Sequence, residues 1–248
     1  MTDYFEARGV DSEFYKEAKL PHYYKEIIER LPRNARILDF GCGFGQNLFA
    51  IKNNNFVWQK DNSKNNSTGG GSKEFNLIGI DINPNAISYV KSLGIESFLV
   101  EDIFSFKSQE KFDLIITTHV LEHLPKDKII STLKYFRESL LKENGAIFVA
   151  VPNAQSFTGC YWAYEDFTHN TLFTAGSLIY VLKTAGFNNV SIIDKDALAG
   201  SKGMKRWIKT VFLKLYTLHI KFWCKITNSA FHAPSPQVFS YEIKALAY

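Results

Sequence analysis

The sequence predicts an α/β protein with a doubly wound sheet between helices, and two observations carry this prediction. Short apolar segments of strand character alternate along the chain with segments whose apolar residues recur at helical spacing. Aspartates also stand at the ends of three successive predicted strands, and the first strand runs directly into glycines. Because doubly wound sheets bind ligands at the carboxyl ends of their strands, these polar ends predict a binding site.

The first strand leads into a glycine-rich turn. Residues 37–40 read as an apolar strand and residues 46–51 as the start of a helix, with Gly41-Cys42-Gly43-Phe44-Gly45 between them. Glycines let the backbone turn tightly and approach a ligand that a Cβ would keep away. The N–H groups that open the helix point into the same crevice, beside the Asp39 carboxylate. The turn alone is a weak signal, since dinucleotide enzymes use similar loops.

Four further apolar blocks follow. The second strand, residues 75–80, closes at Asp81, where an acidic residue commonly bonds ribose hydroxyls. The third block ends at Asp102 and Ile103. The fourth, residues 112–116, leads into Thr117-Thr118-His119-Val120-Leu121-Glu122-His123-Leu124-Pro125, and the fifth spans residues 145–153.

These five blocks, in this order, resemble the class I S-adenosylmethionine (SAM)-dependent methyltransferases, in the branch whose fourth block reads H-x-x-E-H-L. The resemblance covers roughly residues 20–190. It implies a Rossmann-like, seven-stranded sheet that is mostly parallel, with an antiparallel last strand. The expected organisation is a single domain over residues 1–248, with a mobile polar insertion at about 59–74 and a basic helical insertion at about 200–233.

The resemblance implies SAM as the cofactor and assigns residues to its parts. The amino acid tail is expected at Asp39, Gly41 and Gly43, the ribose at Asp81, the adenine at Ile82, Asp102 and Ile103, and the sulfonium beside Thr118 and His119. Local roles stay open for the aspartates. Asp39 could cap the following helix, Asp81 could cap the helix that begins at Pro84, and Asp102 could close a turn.

A hydroxyl acceptor needs a base, and His169 is the first candidate. It stands in a loop after the fifth strand, where Asp166 could orient the imidazole, although His169 could instead bond to backbone and hold the loop. His119 is expected at a cofactor or acceptor contact. His119 and His123 have the spacing of a metal pair, but no third ligand is apparent, so no metal is expected.

Aromatic residues follow the fifth strand, in a stretch predicted to be irregular over residues 153–173. Tyr161, Trp162 and Tyr164 are expected to contact the substrate as a lid, although aromatic residues also fill cores. Helices are predicted at 13–31, over the cofactor pocket, and at 84–93, 126–142 and 174–184, and the last two strands at 190–193 and 238–247.

Charge is distributed unevenly. The net charge is +4, yet residues 202–225 contain seven basic residues and no acidic one, so the rest of the chain is slightly acidic. The body therefore does not read as a general polyanion binder, and no DNA partner is expected. No signal peptide or apolar stretch of membrane-spanning length is visible, and the odd number of cysteines forms no C-x-x-C pair. These features predict a cytoplasmic protein.

The basic segment carries an apolar stripe formed by Ile208, Val211, Phe212, Leu215, Leu218 and Phe222. Three uses are open: packing on the body or on a second copy, peripheral contact with an anionic membrane, and binding of a phosphate-bearing acceptor. The stretch from Val151 to Phe187 is similar to bacterial surface-polysaccharide (capsule) methyltransferases. This similarity implies O-methylation of a sugar, nucleotide sugar or related phosphorylated precursor. The alternatives are an RNA methyltransferase and a non-catalytic SAM-binding subunit that needs a partner.

Overall fold

The computed structural model describes residues 4–9, 20–54, 56–58 and 71–248. Strands and helices alternate along this part of the chain. The strands are β1 (Arg36–Phe40), β2 (Val57–Trp58), β3 (Gly71–Ser72), β4 (Asn76–Asp81), β5 (Glu96–Leu99), β6 (Phe112–Thr118), β7 (Leu141–Pro152), β8 (Val190–Ile193) and β9 (Glu242–Ala247). The helices are α1 (Tyr4–Ala7), α2 (His22–Glu29), α3 (Gln46–Lys52), α4 (Pro84–Ser92), α5 (Lys126–Tyr135), α6 (Gly159–Glu165), α7 (Ala175–Thr184) and α8 (Gly203–Ile226).

The main sheet has seven strands in the order β5-β4-β1-β6-β7-β9-β8. Strands β1, β4, β5, β6 and β7 are parallel, while β9 runs antiparallel to both β7 and β8. The predicted fold class is therefore confirmed, including the antiparallel last strand. Strands β2 and β3 form a separate two-stranded ladder.

Central strands are apolar on both faces because helices cover both sides of the sheet. Ile37 and Leu38 of β1 and Leu114, Ile115 and Ile116 of β6 are all fully buried. Leu38 and Ile115 belong to one apolar cluster, whereas Ile37, Leu114 and Ile116 belong to another. Runs of this kind hold the strands rigidly, so their carboxyl ends form a fixed edge on which loops carry polar groups.

Two predicted helix starts are observed. Thr174 caps α7 by accepting a hydrogen bond from the N–H of Ser177, whose side chain accepts in turn from the N–H of Thr174. Asn83 caps α4, and Pro84 occupies the first turn, where a missing N–H costs nothing. Such caps are local and can be recognised from short sequence patterns.

Several predicted boundaries were wrong. The helix predicted to reach residue 142 is α-helical only as far as Tyr135. One π-helical turn follows over Phe136–Leu140, and β7 begins at Leu141. The last strand begins at Glu242 rather than Val238, because the Asn153 amide binds the carbonyls of Val238 and Ser240 at 2.7 and 2.8 Å. These bonds hold residues 238–240 away from the sheet ladder.

Other differences concern the helices around the sheet. The stretch after β7 was predicted to be irregular but contains α6. The helix predicted over 13–31 is observed as α2, and residues 13–19 lie outside the described residues, as does 59–70 of the predicted insertion. The basic segment forms α8, and no residue of this helix is buried. Among the described residues, no helix is long and apolar enough to cross a membrane.

Candidate active site

A cavity of about 1300 Å³ lies at the carboxyl ends of β1, β4 and β6. The chain builds outward from β1 to β4 and β5, then returns to place β6 on the other side of β1. Ligands of doubly wound sheets bind at such a reversal of strand order. Most residues assigned from the sequence line this cavity, namely Gly41, Gly43, Asp81, Ile82, Asp102, Ile103, Thr118, His119, Trp162, Asp166 and His169.

The glycine loop adopts a conformation that requires glycine. Gly41, Gly43 and Gly45 have positive φ angles of 72°, 50° and 78°, a region that other residues rarely adopt. A Cβ on Gly41 would also collide with the Val120 side chain. The N–H of Gly41 donates to the carbonyl of Ile80 at 2.9 Å, which ties the loop to β4. The loop therefore packs closely on Val120 and β4, and Gly41 and Gly43 line the cavity.

Asp39 precedes this loop and is buried, with 1 % of its surface exposed. Asn47 donates to Oδ2 at 3.4 Å, whereas Oδ1 has no hydrogen-bond partner among the described residues. Burial raises the pKa of Asp39 to about 7, with the Asn47 bond opposing and the Asp81 charge adding to the shift. The helix that follows is capped by Gly45, so Asp39 is not its cap. Asp39 is not among the described residues that line the cavity, so contact between its unpaired oxygen and a ligand stays a prediction.

Asp81 links two loops at the cavity wall. Its Oδ2 accepts from the N–H of Gly43 and its Oδ1 from the N–H of Asn83, both at 2.8 Å. Asn83, not Asp81, caps α4. Asp102 is exposed and does take the local role, because its Oδ1 accepts from the N–H of Phe104 at 3.1 Å and closes a turn. A ligand role for Asp102 stays a prediction.

His119 lies between two buried carboxylates. Its Nδ1 is 3.3 Å from Oε1 of Glu122, and its Nε2 is 3.3 Å from Oε2 of Glu242. Burial lowers the pKa of His119, but the two carboxylates outweigh that effect and raise the pKa to about 9. A φ of 55° turns His119 out of the β6 direction, and 41 % of its side chain is exposed. The ring is therefore a cationic group at the cavity.

His169 and His123 lie together at the other end of the cavity, with ring centroids 4.7 Å apart. Nδ1 of His169 bonds to the Trp162 carbonyl at 2.7 Å, and its side chain is only 5 % exposed. Asp166, expected to orient this ring, lies 3.9 Å from Nε2. The orienting hydrogen bond therefore comes from Trp162 rather than Asp166, since a carbonyl bound to Nδ1 fixes the ring.

Asp166 is instead held by residues that sequence reasoning missed. Its Oδ2 accepts from the Tyr4 hydroxyl at 2.6 Å and pairs with Arg8 at 3.2 Å. Its Oδ1 accepts from the Thr168 hydroxyl at 2.6 Å. Burial raises the pKa of Asp166, but the bonds from Thr168 and Tyr4 outweigh it and lower the pKa to about 2. The ionised carboxylate anchors residues 4–8 across the cavity, where the ring of Phe5 approaches Gly43.

The aromatic residues of α6 divide between cavity and solvent. Trp162 lines the cavity, whereas Tyr161 and Tyr164 are absent from its described lining and are 54 % and 81 % exposed. Substrate contact by Tyr161 and Tyr164 therefore stays a prediction. Tyr4, Phe5 and Arg8 border the cavity as well.

Comparison with known proteins gives the family. A family model described as "Methyltransferase domain" matches residues 14–192. This chain belongs to that methyltransferase family. The match spans the glycine loop, the β6 segment with His119, and the loop with His169. No curated protein matches the chain.

Solved structures share the fold of this methyltransferase. A SAM-dependent methyltransferase from Archaeoglobus fulgidus is 18 % identical, with 99 % of each chain covered and a TM-score of 0.62. A TehB-like SAM-dependent methyltransferase from Corynebacterium glutamicum is 16 % identical, with 98 % of this chain and 91 % of that chain covered and a TM-score of 0.51. At such identities the likeness concerns the fold.

The family implies SAM as the cofactor, and the residues present fit it. The unpaired Oδ1 of Asp39 suits a cationic ammonium group, whereas the N–H groups of Gly41 and Gly43 already donate to Ile80 and Asp81. Ile82 is 71 % exposed at the cavity, where an apolar side chain suits a flat base. The SAM site of the methyltransferase thus has a charged end at Asp39 and an apolar end at Ile82.

Proposed function

We propose that this methyltransferase transfers a methyl group from SAM to a hydroxyl oxygen of a small polar acceptor. The observation that carries the proposal is the extent of the cavity, which runs from the glycine loop to Trp162 and His169. Its volume of about 1300 Å³ exceeds the roughly 300–1,000 Å³ of pockets for one drug-sized ligand. The cavity therefore has room for the methyl donor SAM at the glycine loop and for a small methyl acceptor beside His123 and His169.

Bound SAM supplies an electrophilic methyl group on a sulfonium. The residues that would hold it are Asp39, Gly41 and Gly43 for the amino acid tail, Asp81 for the ribose, and Ile82, Asp102 and Ile103 for the adenine. Thr118 and His119 would line the wall nearest the reacting centre. The loop is already tied to Asp81 through Gly43, so binding requires little reorganisation and alignment provides much of the rate acceleration.

At the acceptor end, the chain offers a proton acceptor and a cover. The Trp162 carbonyl only accepts hydrogen bonds, so Nδ1 of His169 donates to it, and Nε2 is the nitrogen that would take the hydroxyl proton. Tyr4 and Arg8 hold residues 4–8 against Asp166 and exclude water from this end. His119 contributes charge and contact rather than a base, because it is flanked by two carboxylates.

The acceptor we favour is a sugar, a nucleotide sugar or a related phosphorylated precursor of a surface polysaccharide. The similarity of residues 151–187 to surface-polysaccharide methyltransferases supports this class. Lys128 and Arg8 also line the cavity and could receive a phosphate. The second candidate is an RNA methyltransferase, which the basic helix α8 favours, because seven basic residues fall between 202 and 225.

The test is transfer of labelled methyl from SAM to separate pools of nucleotide sugars, sugar phosphates, RNA and protein. We expect label in one small-molecule pool, its loss in Asp81→Ala, and its retention in Tyr180→Ala, a change of an exposed residue of α7 outside the cavity lining. Label confined to RNA or protein would overturn the acceptor class. Absence of label together with absence of S-adenosylhomocysteine binding would overturn the proposed function itself.

A further inference from the structure

We propose that Glu122, His123 and His169 bind one divalent transition-metal ion of the zinc class beside the acceptor. One ligand-type atom from each of these residues lies within 4.8 Å of the others. Glu122 is buried and the two histidines are half-buried, so the cluster lies inside the cavity wall rather than on an open surface. Small side-chain movements would bring these atoms to the metal–ligand distances of about 2.0–2.2 Å.

The hydrogen bonds fix the tautomer of both rings. The Trp162 carbonyl can only accept, so Nδ1 of His169 donates to it at 2.7 Å. The Thr168 hydroxyl gives its hydrogen to the Asp166 carboxylate at 2.6 Å, so it accepts from Nδ1 of His123 at 2.8 Å. Each neutral ring then has Nε2 as its unprotonated nitrogen. Metal-binding histidines are held in this way, with the second nitrogen donating to a carbonyl or another oxygen.

Glu122 supplies the independent observation. Its side chain has 0 % exposure, and neither Oε1 nor Oε2 accepts a hydrogen bond within the described chain. The His119 ring pairs with Oε1 at 3.3 Å and shares its charge with Glu242, whereas Oε2 has neither a hydrogen bond nor an ion pair among the described residues. A fully buried carboxylate oxygen without a partner costs free energy unless a cation or a hydrogen-bond donor binds to it. A metal ion between Glu122 and the two imidazoles would complete it.

Two imidazoles and one carboxylate are a donor set for Zn²⁺ and for related ions such as Co²⁺, and they leave coordination positions open. The sequence pairs His119 with His123, but in the fold His119 lies between Glu122 and Glu242, and His169 joins from a distant loop. A bound metal ion would occupy Nε2 of His169, so this nitrogen can take the acceptor proton of the proposed function only in the metal-free protein. Metal binding itself requires no acceptor.

The experiment is titration of the full-length, chelator-treated protein with Co²⁺, followed by calorimetry and visible absorption. We expect one equivalent to bind, and at least about tenfold weaker binding in His123→Ala, His169→Ala and Glu122→Gln. His219→Ala is the matched control, since His219 lies on the exposed helix α8, and its binding should equal wild type.

Each variant is also titrated with S-adenosylhomocysteine, which reports a folded cavity. Retained S-adenosylhomocysteine binding with lost Co²⁺ binding would support the metal site. A wild-type protein that binds S-adenosylhomocysteine but no stoichiometric Co²⁺ or Zn²⁺ would overturn the metal site and leave the proposed function intact. Equal Co²⁺ binding by wild type and both histidine variants would also overturn it.

A second inference rests on α8 and is independent of the cavity. We infer that α8 lies on the surface of an anionic lipid bilayer. Leu213, Tyr216, Ile220 and Cys224 are half-buried and follow helical spacing along one side, where Tyr216 packs against Phe239 with ring centroids 5.4 Å apart. This side faces the protein body.

The opposite side of α8 is apolar and exposed. Phe212, Leu215, Leu218 and Phe222 are 66 %, 54 %, 62 % and 57 % exposed. Except for half-buried Val211, the predicted apolar stripe is therefore exposed, and a membrane or a second copy could cover it. Lys205 borders the stripe on one side and Lys214, Lys221 and Lys225 border it on the other, whereas Lys209 donates to the carbonyl of Ala197 on the body side.

Charge decides between these occupants. An interface between two copies would bring like charges together, because residues 202–225 contain no acidic residue to pair with the lysines of a partner helix. An anionic bilayer pairs with the lysines and accepts the apolar side chains, including Trp207 and Trp223 at the headgroup level. Basic amphipathic helices of this length lie in the membrane plane.

The test is sedimentation of the full-length protein with vesicles of phosphatidylcholine alone and of phosphatidylcholine with phosphatidylglycerol. We expect binding to the anionic vesicles that falls at least about tenfold with added salt or in Phe212→Glu/Leu218→Glu. Phe157→Glu and Phe167→Glu are matched controls, since both residues are exposed and lie outside α8. Light scattering that shows a stable dimer without vesicle binding, or retention by RNA alone, would overturn the membrane assignment.

Discussion

The N–H of Gly43 donates to Oδ2 of Asp81 at 2.8 Å, so the glycine loop and the end of β4 are joined through one carboxylate. The other oxygen of Asp81 accepts from Asn83 at 2.8 Å and positions the start of α4. A single side chain thereby sets the shape of two loops that border the cavity. Its removal should affect binding and stability together.

Asp81→Ala should weaken S-adenosylhomocysteine binding at least about tenfold and destabilise the fold by about 2–4 kcal/mol, because two charge-assisted hydrogen bonds are lost. Calorimetry and urea unfolding measure the two effects. Asp102→Ala is the control for stability, since that exposed carboxylate closes one local turn. Unchanged binding and unchanged stability in Asp81→Ala would contradict the linking role.

Asp39→Asn should stabilise the ligand-free protein at pH 8 and weaken S-adenosylhomocysteine binding. Because burial raises the pKa of Asp39 to about 7, the folded state holds this proton more tightly than the unfolded chain. Folding stability therefore falls as pH rises from about 4 to about 7 and stays low above it. The upper limit is about 4 kcal/mol, at about 1.4 kcal/mol per pKa unit.

Urea unfolding of wild type and Asp39→Asn at pH 5 and pH 8 measures this effect. The stability advantage of the Asp39→Asn variant should be larger at pH 8, where the carboxylate is ionised in both states of the wild type. An advantage of equal size at both pH values would show that the buried carboxylate does not cause it.

The sequence was sufficient for the fold because the signals are local. Apolar runs such as Ile37–Phe40, the caps at Asn83 and Thr174, and the glycine loop each depend on neighbouring residues. The last strand began later than predicted because Asn153, far away in the chain, binds the carbonyls of Val238 and Ser240. No local pattern contains that information.

The site was predictable along its cofactor wall and less so at its acceptor end. Asp39 and Asp81 lie at the ends of β1 and β4, and His119 follows β6, all three strands that the sequence predicts. Glu242 lies 123 residues from His119, and Tyr4 lies 162 residues from Asp166, so their contacts arise from topology. The third member of the candidate metal cluster, His169, was recognised as chemical but could not be grouped with Glu122 and His123 without the fold.

Gly41→Ala should destabilise the protein more than Gly203→Ala. Both glycines have positive φ angles, 72° and 53°, which cost about 1–2 kcal/mol for alanine. At Gly203 no described atom lies within 4 Å of the added Cβ, whereas at Gly41 it would collide with Val120. Adding Val120→Ala to Gly41→Ala should recover part of the loss in thermal unfolding. Equal losses in the two single variants would argue against the close approach of Val120.

Glu242→Gln should destabilise the fold by about 3 kcal/mol, because it removes one partner of a buried ion pair. Glu242 is 3.1 Å from Lys244, whose side chain is 4 % exposed, and Asp194 is the more distant partner at 3.6 Å. Lys244→Met should be similarly costly, since it leaves buried Glu242 with His119 as the remaining cationic partner. The double variant should lose less than the two single losses combined, because it leaves neither charge unpaired. A cycle of urea unfolding curves gives the coupling energy, and additive losses would mean that the two side chains do not stabilise each other.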